Sequence, residues 1–234
     1  MRTAAAAILL SLAAAAPTLA QQPDAAAFGV QPWTEAVVSV TDLDASASWL
    51  VADGGWRIAG EGDLARAELD YWRLPETITA TFRKICAPAA ETGCIRFVKF
   101  DGAEHQRPIR LAARPWDTGG IFSIMLRSED TQALFDAAIA RGWWAESEPY
   151  AFSFGGSDLV NVVVRGPHGV NYALYQRQSP PFTGFAVGRL SQAFNTMRMV
   201  QDQPASLAWY RDRLGLKVLF DAPFTDPEQR SNNF

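Results

Sequence analysis

The feature that most constrains the fold is a strand–turn–helix pattern that occurs twice, over Glu35–Gly55 and Asn195–Gly215. The matched positions are Val40 with Val200, Asp42 with Asp202, Trp49 with Trp209, and Gly55 with Gly215. Each copy is an apolar run that ends at an aspartate, followed by a short helix that a glycine terminates. A third, weaker copy begins at Ile121. Because self-similarity at a regular spacing is typical of repeated structural units, the sequence predicts a modular fold.

Composition limits the classes of partner. The chain has 234 residues, of which 48% are hydrophobic and 12% aromatic, and this is enough to bury a sizeable core. The net charge of −4 argues against a nucleic acid partner, because phosphate binding needs a basic surface. Some of the eight tryptophans are expected in a core, and others could line an apolar pocket.

The first twenty residues have the pattern of a secretory signal peptide. Arg2 is followed by the apolar run Ala4–Ala16, Pro17 breaks that run, and small residues stand at the usual cleavage positions before Gln21. The competing interpretation is an uncleaved membrane anchor, although the run is short for a transmembrane helix. We therefore expect a secreted or periplasmic protein with no membrane contact after cleavage, and a flexible lead over residues 21–32.

The two cysteines, Cys86 and Cys94, are eight positions apart. In an oxidising compartment an isolated close pair favours a disulfide bond, which here would connect two strands of a hairpin. The alternative is a pair of buried thiols. A zinc site is not favoured, since two thiolates do not complete its ligand set.

Two complete modules are predicted, over residues 33–103 and 119–178. In the first, a valine-rich strand over Glu35–Thr41 precedes a helix that Asp42 or Asp44 caps, and three more strands follow. The second has the same βαβββ order, with Ser128 as the expected helix cap. Residues 191–234 form an incomplete third module, in which Leu216–Phe220 is the expected second strand.

This arrangement resembles the vicinal oxygen chelate superfamily, which includes glyoxalases, bleomycin-resistance proteins and extradiol dioxygenases. The motifs that carry the resemblance are Val40–Ser46, Arg141–Trp143, Arg165–Val170 and Trp209–Leu216. The resemblance implies an α+β fold in which modules 1 and 2 form one domain and their curved mixed sheets enclose a cleft. It does not specify a reaction.

Metal-dependent members of that family place histidine or glutamate ligands on the first and last strands of each module. The corresponding residues in this sequence are Glu35, Lys99, Ile121 and Ala173. Only Glu35 could ligate a divalent cation in the usual way, and Lys99 would repel one. We therefore expect no metal at the usual site and no other bound cofactor, with a divalent metal as the alternative.

Three residues are candidates for ligand binding: Glu35, Lys99 and Tyr172. The resemblance places Glu35 and Lys99 on neighbouring strands, where they could form a charge pair at the floor of a pocket; the alternative is an edge salt bridge of little energetic value. Tyr172 is one of several aromatic residues that alternate along the strands of module 2. Half of those should face the core and half the concave face of the sheet.

The sequence as a whole predicts an exported protein that binds a small organic ligand between modules 1 and 2. The alternative is a metal-dependent lyase, isomerase or dioxygenase whose active site lies partly in a further C-terminal module. The incomplete third module is expected to belong to a longer, four-module protein or to dock on a second copy, as in a homodimer, because a few elements alone cannot cover their apolar face.

Overall fold

A computed structural model describes residue 30 and residues 33–103, 120–182 and 187–221. The predicted signal peptide, nearly all of the lead that follows it, and the segment 104–118 between modules 1 and 2 lie outside these residues. None of the described helices is both long enough and apolar enough to cross a membrane.

Module 1 contains four strands and two helices. In chain order they are β1 (Glu35–Ser39), α1 (Leu43–Ala52), β2 (Arg57–Asp63), α2 (Arg66–Tyr71), β3 (Thr79–Cys86) and β4 (Cys94–Asp101). The sheet order is β1-β4-β3-β2, with β1 and β4 parallel and the other pairs antiparallel. We call this sheet A. Apart from the short helix α2, the elements follow the predicted βαβββ order.

Module 2 has the same order, with its second strand in two pieces. Its elements are β5 (Ser123–Arg127), α3 (Thr131–Ala140), β6 (Trp144–Ala145), β7 (Tyr150–Phe154), β8 (Ser157–Arg165) and β9 (Asn171–Ser179). Both β6 and β7 pair with β8, and β5 is parallel to β9. We call this sheet B. Both sheets are mixed and open, so the predicted α+β fold class is confirmed.

Aspartates start the two long helices of the modules. The Asp42 carboxylate accepts the backbone N–H of Ala45 at 2.9 Å, as predicted for α1. In α3 the cap is Asp130, which accepts the N–H of Ala133 at 3.0 Å. The prediction of Ser128 as the cap is wrong, because Ser128 ends the extended segment and its hydroxyl lies 2.6 Å from that of Thr131. Either residue type can satisfy the free donors of a first helical turn.

One hydrophobic core joins the modules. It contains the side chains of sheet A and sheet B that face α1 and α3, together with the buried residues of those helices. Trp49 of α1 is fully buried, and its indole N–H donates to the Leu134 carbonyl of α3 at 3.2 Å. Its ring also packs 4.9 Å from Trp143 and 5.7 Å from Tyr172, measured between centroids. The two helices and the sheet faces that they cover therefore share one packed core.

The disulfide prediction is confirmed: Cys86 and Cys94 are bonded. They lie opposite each other at the end of the antiparallel β3–β4 pair, where Ile85 and Ile95 are the last aligned residues. The bond therefore closes the loop between these two strands, as the sequence predicted.

The two modules differ in the connection that precedes their third strand. In module 1 the connection runs from Leu64 to Ile78 and contains α2. In module 2 it is Gly155–Gly156, a two-residue turn in which both φ angles are positive, at 58° and 74°. Such φ values suit glycine and the tight turns of hairpins.

The third module is represented by β10 (Asn195–Met197) and α4 (Gln203–Leu214). β10 pairs antiparallel with β5 and so extends sheet B. Residues 204–221 belong to a separate compact unit, in which Gly215 follows the helix with a φ of 66°. The predicted strand over Leu216–Phe220 is wrong, because no described strand pairs with it and a strand needs a partner for its backbone groups.

Candidate functional site

Alternation along the strands defines two faces of sheet B. Ile124 and Leu174 point toward α3 and belong to the shared core. Met125 and Ala173, which are aligned in the parallel β5–β9 pair, belong to a separate cluster on the opposite side. We call that opposite side the outer face of sheet B, and the matching side of sheet A its outer face. Because core side chains fill the sheet faces that meet α1 and α3, the outer faces are the candidate surfaces for a ligand.

The outer face of sheet B combines apolar, aromatic and cationic side chains. Its apolar cluster contains Phe122, Val163 and Ala173, with Met125, Tyr175, Met197 and Met199 packed around it. Phe194 meets the Tyr175 ring edge to face, with 6.3 Å between centroids. Burial raises the pKa of Tyr175 to about 12, so its hydroxyl stays protonated at neutral pH and is able to donate a hydrogen bond.

Two arginines stand at one end of this face. The guanidinium carbon of Arg127 on β5 lies 4.8 Å from the ring centroid of Phe182, and that of Arg177 on β9 lies 4.9 Å from the same centroid. The guanidinium carbon of Arg127 also lies 4.4 Å from the ring centroid of Phe194. Burial, and next the positive charge of Arg177, lower the pKa of Arg127 from its ordinary value. The two cations are therefore close enough to repel each other.

The outer face of sheet A is covered. Leu69 of α2, with Leu64, packs against Ala80 and Val98 of the sheet, and Trp72, Leu74, Phe82 and Phe100 surround them. Arg96 of β4 crosses this layer: its guanidinium pairs with Glu35 at 2.9 Å and with Glu68 of α2 at 2.6 Å. The connection between β2 and β3 therefore occupies the surface on which a ligand of module 1 would have to lie.

Glu35 does not pair with Lys99. Its second carboxylate oxygen accepts from Lys84 at 3.0 Å, so that Lys84 and Arg96 hold the carboxylate from two sides. Strand register explains the difference. Glu35 is aligned with Cys94, whereas Lys99 lies five positions further along β4, on the opposite face. The predicted charge pair at a pocket floor is wrong, and Lys99 is an exposed residue.

Tyr172 is not on a ligand surface. It is 1% exposed and packs in the shared core, stacked on Trp143 at 5.7 Å between centroids. Burial raises its pKa strongly, as expected for a phenol surrounded by apolar groups. The assignment of Tyr172 to ligand binding is therefore wrong. Because Tyr172 and Tyr175 are an odd number of residues apart, they face opposite sides of the sheet.

The strand positions that the resemblance gave as metal ligands do not fit a divalent cation here. In module 2 they are Ile121, which is exposed, and Ala173, which is fully buried, and neither side chain has a donor atom. In module 1, Glu35 is held by two cations and Lys99 is itself a cation. Within the described ranges, no three histidine, cysteine, aspartate or glutamate residues cluster in a way that could hold a metal. A divalent cation needs several anionic or neutral N, O or S donors together.

Sequence reasoning missed Arg127, Arg177, Phe182 and Phe194. Arg177 could have been found from strand alternation, because Ala173 was assigned to a metal-ligand position and Arg177 is four residues from it on the same strand. Phe182 lies between the predicted modules 2 and 3, and Phe194 lies at the start of module 3. No periodic pattern in those segments indicates where their rings lie.

Comparisons with known proteins bear on the fold. No protein-family model matches the chain, and no curated protein matches it by sequence. Among solved structures, a glyoxalase family protein from Bacillus cereus is similar over 63% of this chain and 95% of its own, with 16% identity and a TM-score of 0.54. Glyoxalase I from Zea mays is similar over 81% of this chain, with 18% identity and a TM-score of 0.56. This chain spans 57% of that enzyme.

At these identities the likeness concerns the fold alone. Both neighbours carry glyoxalase names, and the paired βαβββ order of the described residues agrees with the motifs that suggested the family. The chain therefore has the fold of the vicinal oxygen chelate superfamily.

Proposed function

We propose that this chain is an exported protein that binds a small organic ligand on the outer face of sheet B, without a divalent metal at the positions that the related enzymes use. The observation that carries the proposal is the composition of this face. Apolar and aromatic side chains surround a few polar groups, and this combination is typical of small-molecule sites. The outer face of sheet A offers no such surface, because α2 covers it.

Methionine distribution provides a direct test of the site. The chain has four methionines, and three of them, Met125, Met197 and Met199, pack on the outer face of sheet B. In the full chain labelled with ¹³C at the methionine methyl groups, we expect a ligand from a library of small organic acids, amines and neutral aromatics to shift these three signals. Shifts confined to Met1, or no shift with any compound, would contradict the proposal.

The metal-free part of the proposal needs its own measurement. Metal content of the protein purified without chelators is expected to be far below one divalent ion per chain. At the positions that the resemblance gave, Ile121 and Ala173 have no donor atom, Lys99 is a cation, and Glu35 is held by two cations. A stoichiometric divalent ion would overturn this part. Added Fe, Mn, Zn or Ni should also leave the three outer-face methionine signals unchanged.

A further inference from the structure

The outer face of sheet B has a cationic end that a neutral apolar ligand would not use. The parallel pairing aligns Arg127 with Tyr175, and Arg177 lies two residues beyond Tyr175 on the same strand. Phe182 contacts both guanidinium groups with its ring, at 4.8 and 4.9 Å from their carbons. Two neighbouring strands and one aromatic ring therefore hold two positive charges at a single place.

Burial strengthens the attraction that these charges exert on an anion. Both arginines are partly buried, so water screens their charge less than on an open surface. The lowered pKa of Arg127 reflects burial first and the charge of Arg177 second. An anion placed here would be attracted by each guanidinium.

Donor groups are present in the right place. The terminal nitrogen of Arg177 donates to the Ser157 hydroxyl at 2.6 Å, which orients the side chain. Its Nε–H is buried, and no acceptor for it is found in the part of the chain that the structure describes. A buried donor without an acceptor is unfavourable, and a ligand oxygen would satisfy it. The protonated hydroxyl of Tyr175 adds a neutral donor on the same strand.

We infer that the ligand is a small organic anion, with its carboxylate or phosphate group between Arg127 and Arg177 and its apolar body against Met125 and Tyr175. Arginine is the residue best suited to this task, because its planar fork of donors matches carboxylate and phosphate oxygens. This inference rests on the proposed function and specifies the chemical class of its ligand.

A pair of probes that differ only in charge tests the inference without any variant. Phenylacetate and phenylacetamide have the same shape, and titration of each is followed by the methionine methyl signals of the full chain. We expect the acid to bind at least about tenfold more tightly, since charge-assisted hydrogen bonds are roughly twice as strong as neutral ones. Phenyl phosphate, titrated in parallel, separates a phosphate from a carboxylate preference. Equal affinity for the acid and the amide would overturn the inference.

Variants identify the residue that binds the anionic group of the ligand. Arg177→Gln is expected to weaken phenylacetate binding about tenfold and to leave phenylacetamide unchanged, and Arg177→Lys to fall between, because lysine keeps the charge but not the fork. Lys99→Gln is the matched control: it removes one positive charge from an exposed site on sheet A and should change neither affinity. Unchanged phenylacetate binding in a folded Arg177→Gln protein would contradict the inference.

The two proposals fail in different ways. If no compound of any charge shifts the outer-face methionine signals, the proposed function is wrong, and the anion inference falls with it. If neutral compounds shift these signals as readily as acids, the site stands and only its assignment to anions is wrong. If Lys99→Gln weakens binding while Arg177→Gln does not, the ligand lies on sheet A, contrary to both proposals.

Discussion

The strands of modules 1 and 2 follow the same order in sheet A and sheet B, but the outer faces of the two sheets differ. Sheet A is covered by the connection that contains α2, and its arginine, Arg96, is neutralised by Glu35 and Glu68. Sheet B has a two-residue turn at the corresponding place, and Arg177 donates to a serine hydroxyl. Both faces place arginine against aromatic rings. The difference shows that the connection before the third strand decides whether a helix covers the outer face of a module.

The largest expected effect comes from removing the cation that joins α2 to sheet A. Arg96→Met removes the cation shared by Glu35 and Glu68, whose side chains are only 18% and 31% exposed, and leaves Lys84 as the cation beside Glu35. Removing one partner of a fully buried ion pair costs about 3–5 kcal/mol, and partial exposure reduces this to about 2–3 kcal/mol of unfolding free energy. Urea denaturation measures the loss.

The control for this variant is Arg211→Met, which removes an exposed arginine paired with its neighbour Asp212. Exposed ion pairs contribute little, so we expect no measurable change in the free energy of unfolding. If Arg96→Met changed the unfolding free energy as little as Arg211→Met, the ion pairs of Arg96 would not hold α2 on sheet A. The comparison between the two outer faces would then have no energetic support.

The disulfide is a second feature of sheet A without a counterpart in sheet B, where a single 3₁₀ turn over Pro167–Gly169 joins β8 and β9. The double variant Cys86→Ser/Cys94→Ser should lose about 2–3 kcal/mol of unfolding free energy, since a short closed loop restricts the unfolded chain. Reducing agent should lower the stability of the natural protein by the same amount and leave the double variant unaffected, because the chain has only these two cysteines. A loss on reduction in both proteins would contradict the assignment.

The smallest expected effect concerns Tyr175 and the fall in unfolding free energy at alkaline pH. Its pKa is raised in the folded state to about 12, above the ordinary value of 10.0, so its contribution is complete below pH 10 and is lost as the pH rises through about 12. Tyr175→Phe removes this ionisable group. Between about pH 10 and pH 12 the variant should therefore lose about 1–2 kcal/mol less unfolding free energy than the natural protein. Chemical denaturation at several pH values measures the difference.

The matched control is Tyr71→Phe, because Tyr71 is 83% exposed. Its alkaline limb should coincide with that of the natural protein. If Tyr175→Phe also coincides with it, Tyr175 is hydrated rather than buried, and the outer face of sheet B is more open than described.

Local signals in the sequence predicted the order of elements, the cap at Asp42 and the disulfide, because each depends on residues that are close along the chain. They did not predict which face of a strand meets which neighbour. In β9 the first four residues, Asn171–Leu174, are all buried, so hydrophobic alternation does not separate the faces. That is why Tyr172 was chosen where Tyr175 lies on the outer face.

For a related reason, local sequence signals could not predict that Arg127 and Arg177 lie close together. Arg127 and Arg177 are far apart in the sequence, and only the parallel pairing of β5 with β9 brings them together. The error with Lys99 has the same origin, since the neighbouring strands were identified correctly but their register was not. A displacement along a strand changes both the position and the face of a side chain.

The turn at Gly155–Gly156 has a consequence for how such a protein could diversify. A Cβ atom added at either glycine would meet no heavy atom within 4 Å, so the turn projects into open space. Lengthening it by a helical segment like that of module 1 could place new side chains over the outer face of sheet B, as α2 does on sheet A. A single insertion in the gene could thus add a helical cover to sheet B, and its removal could take that cover away, with the strands themselves untouched.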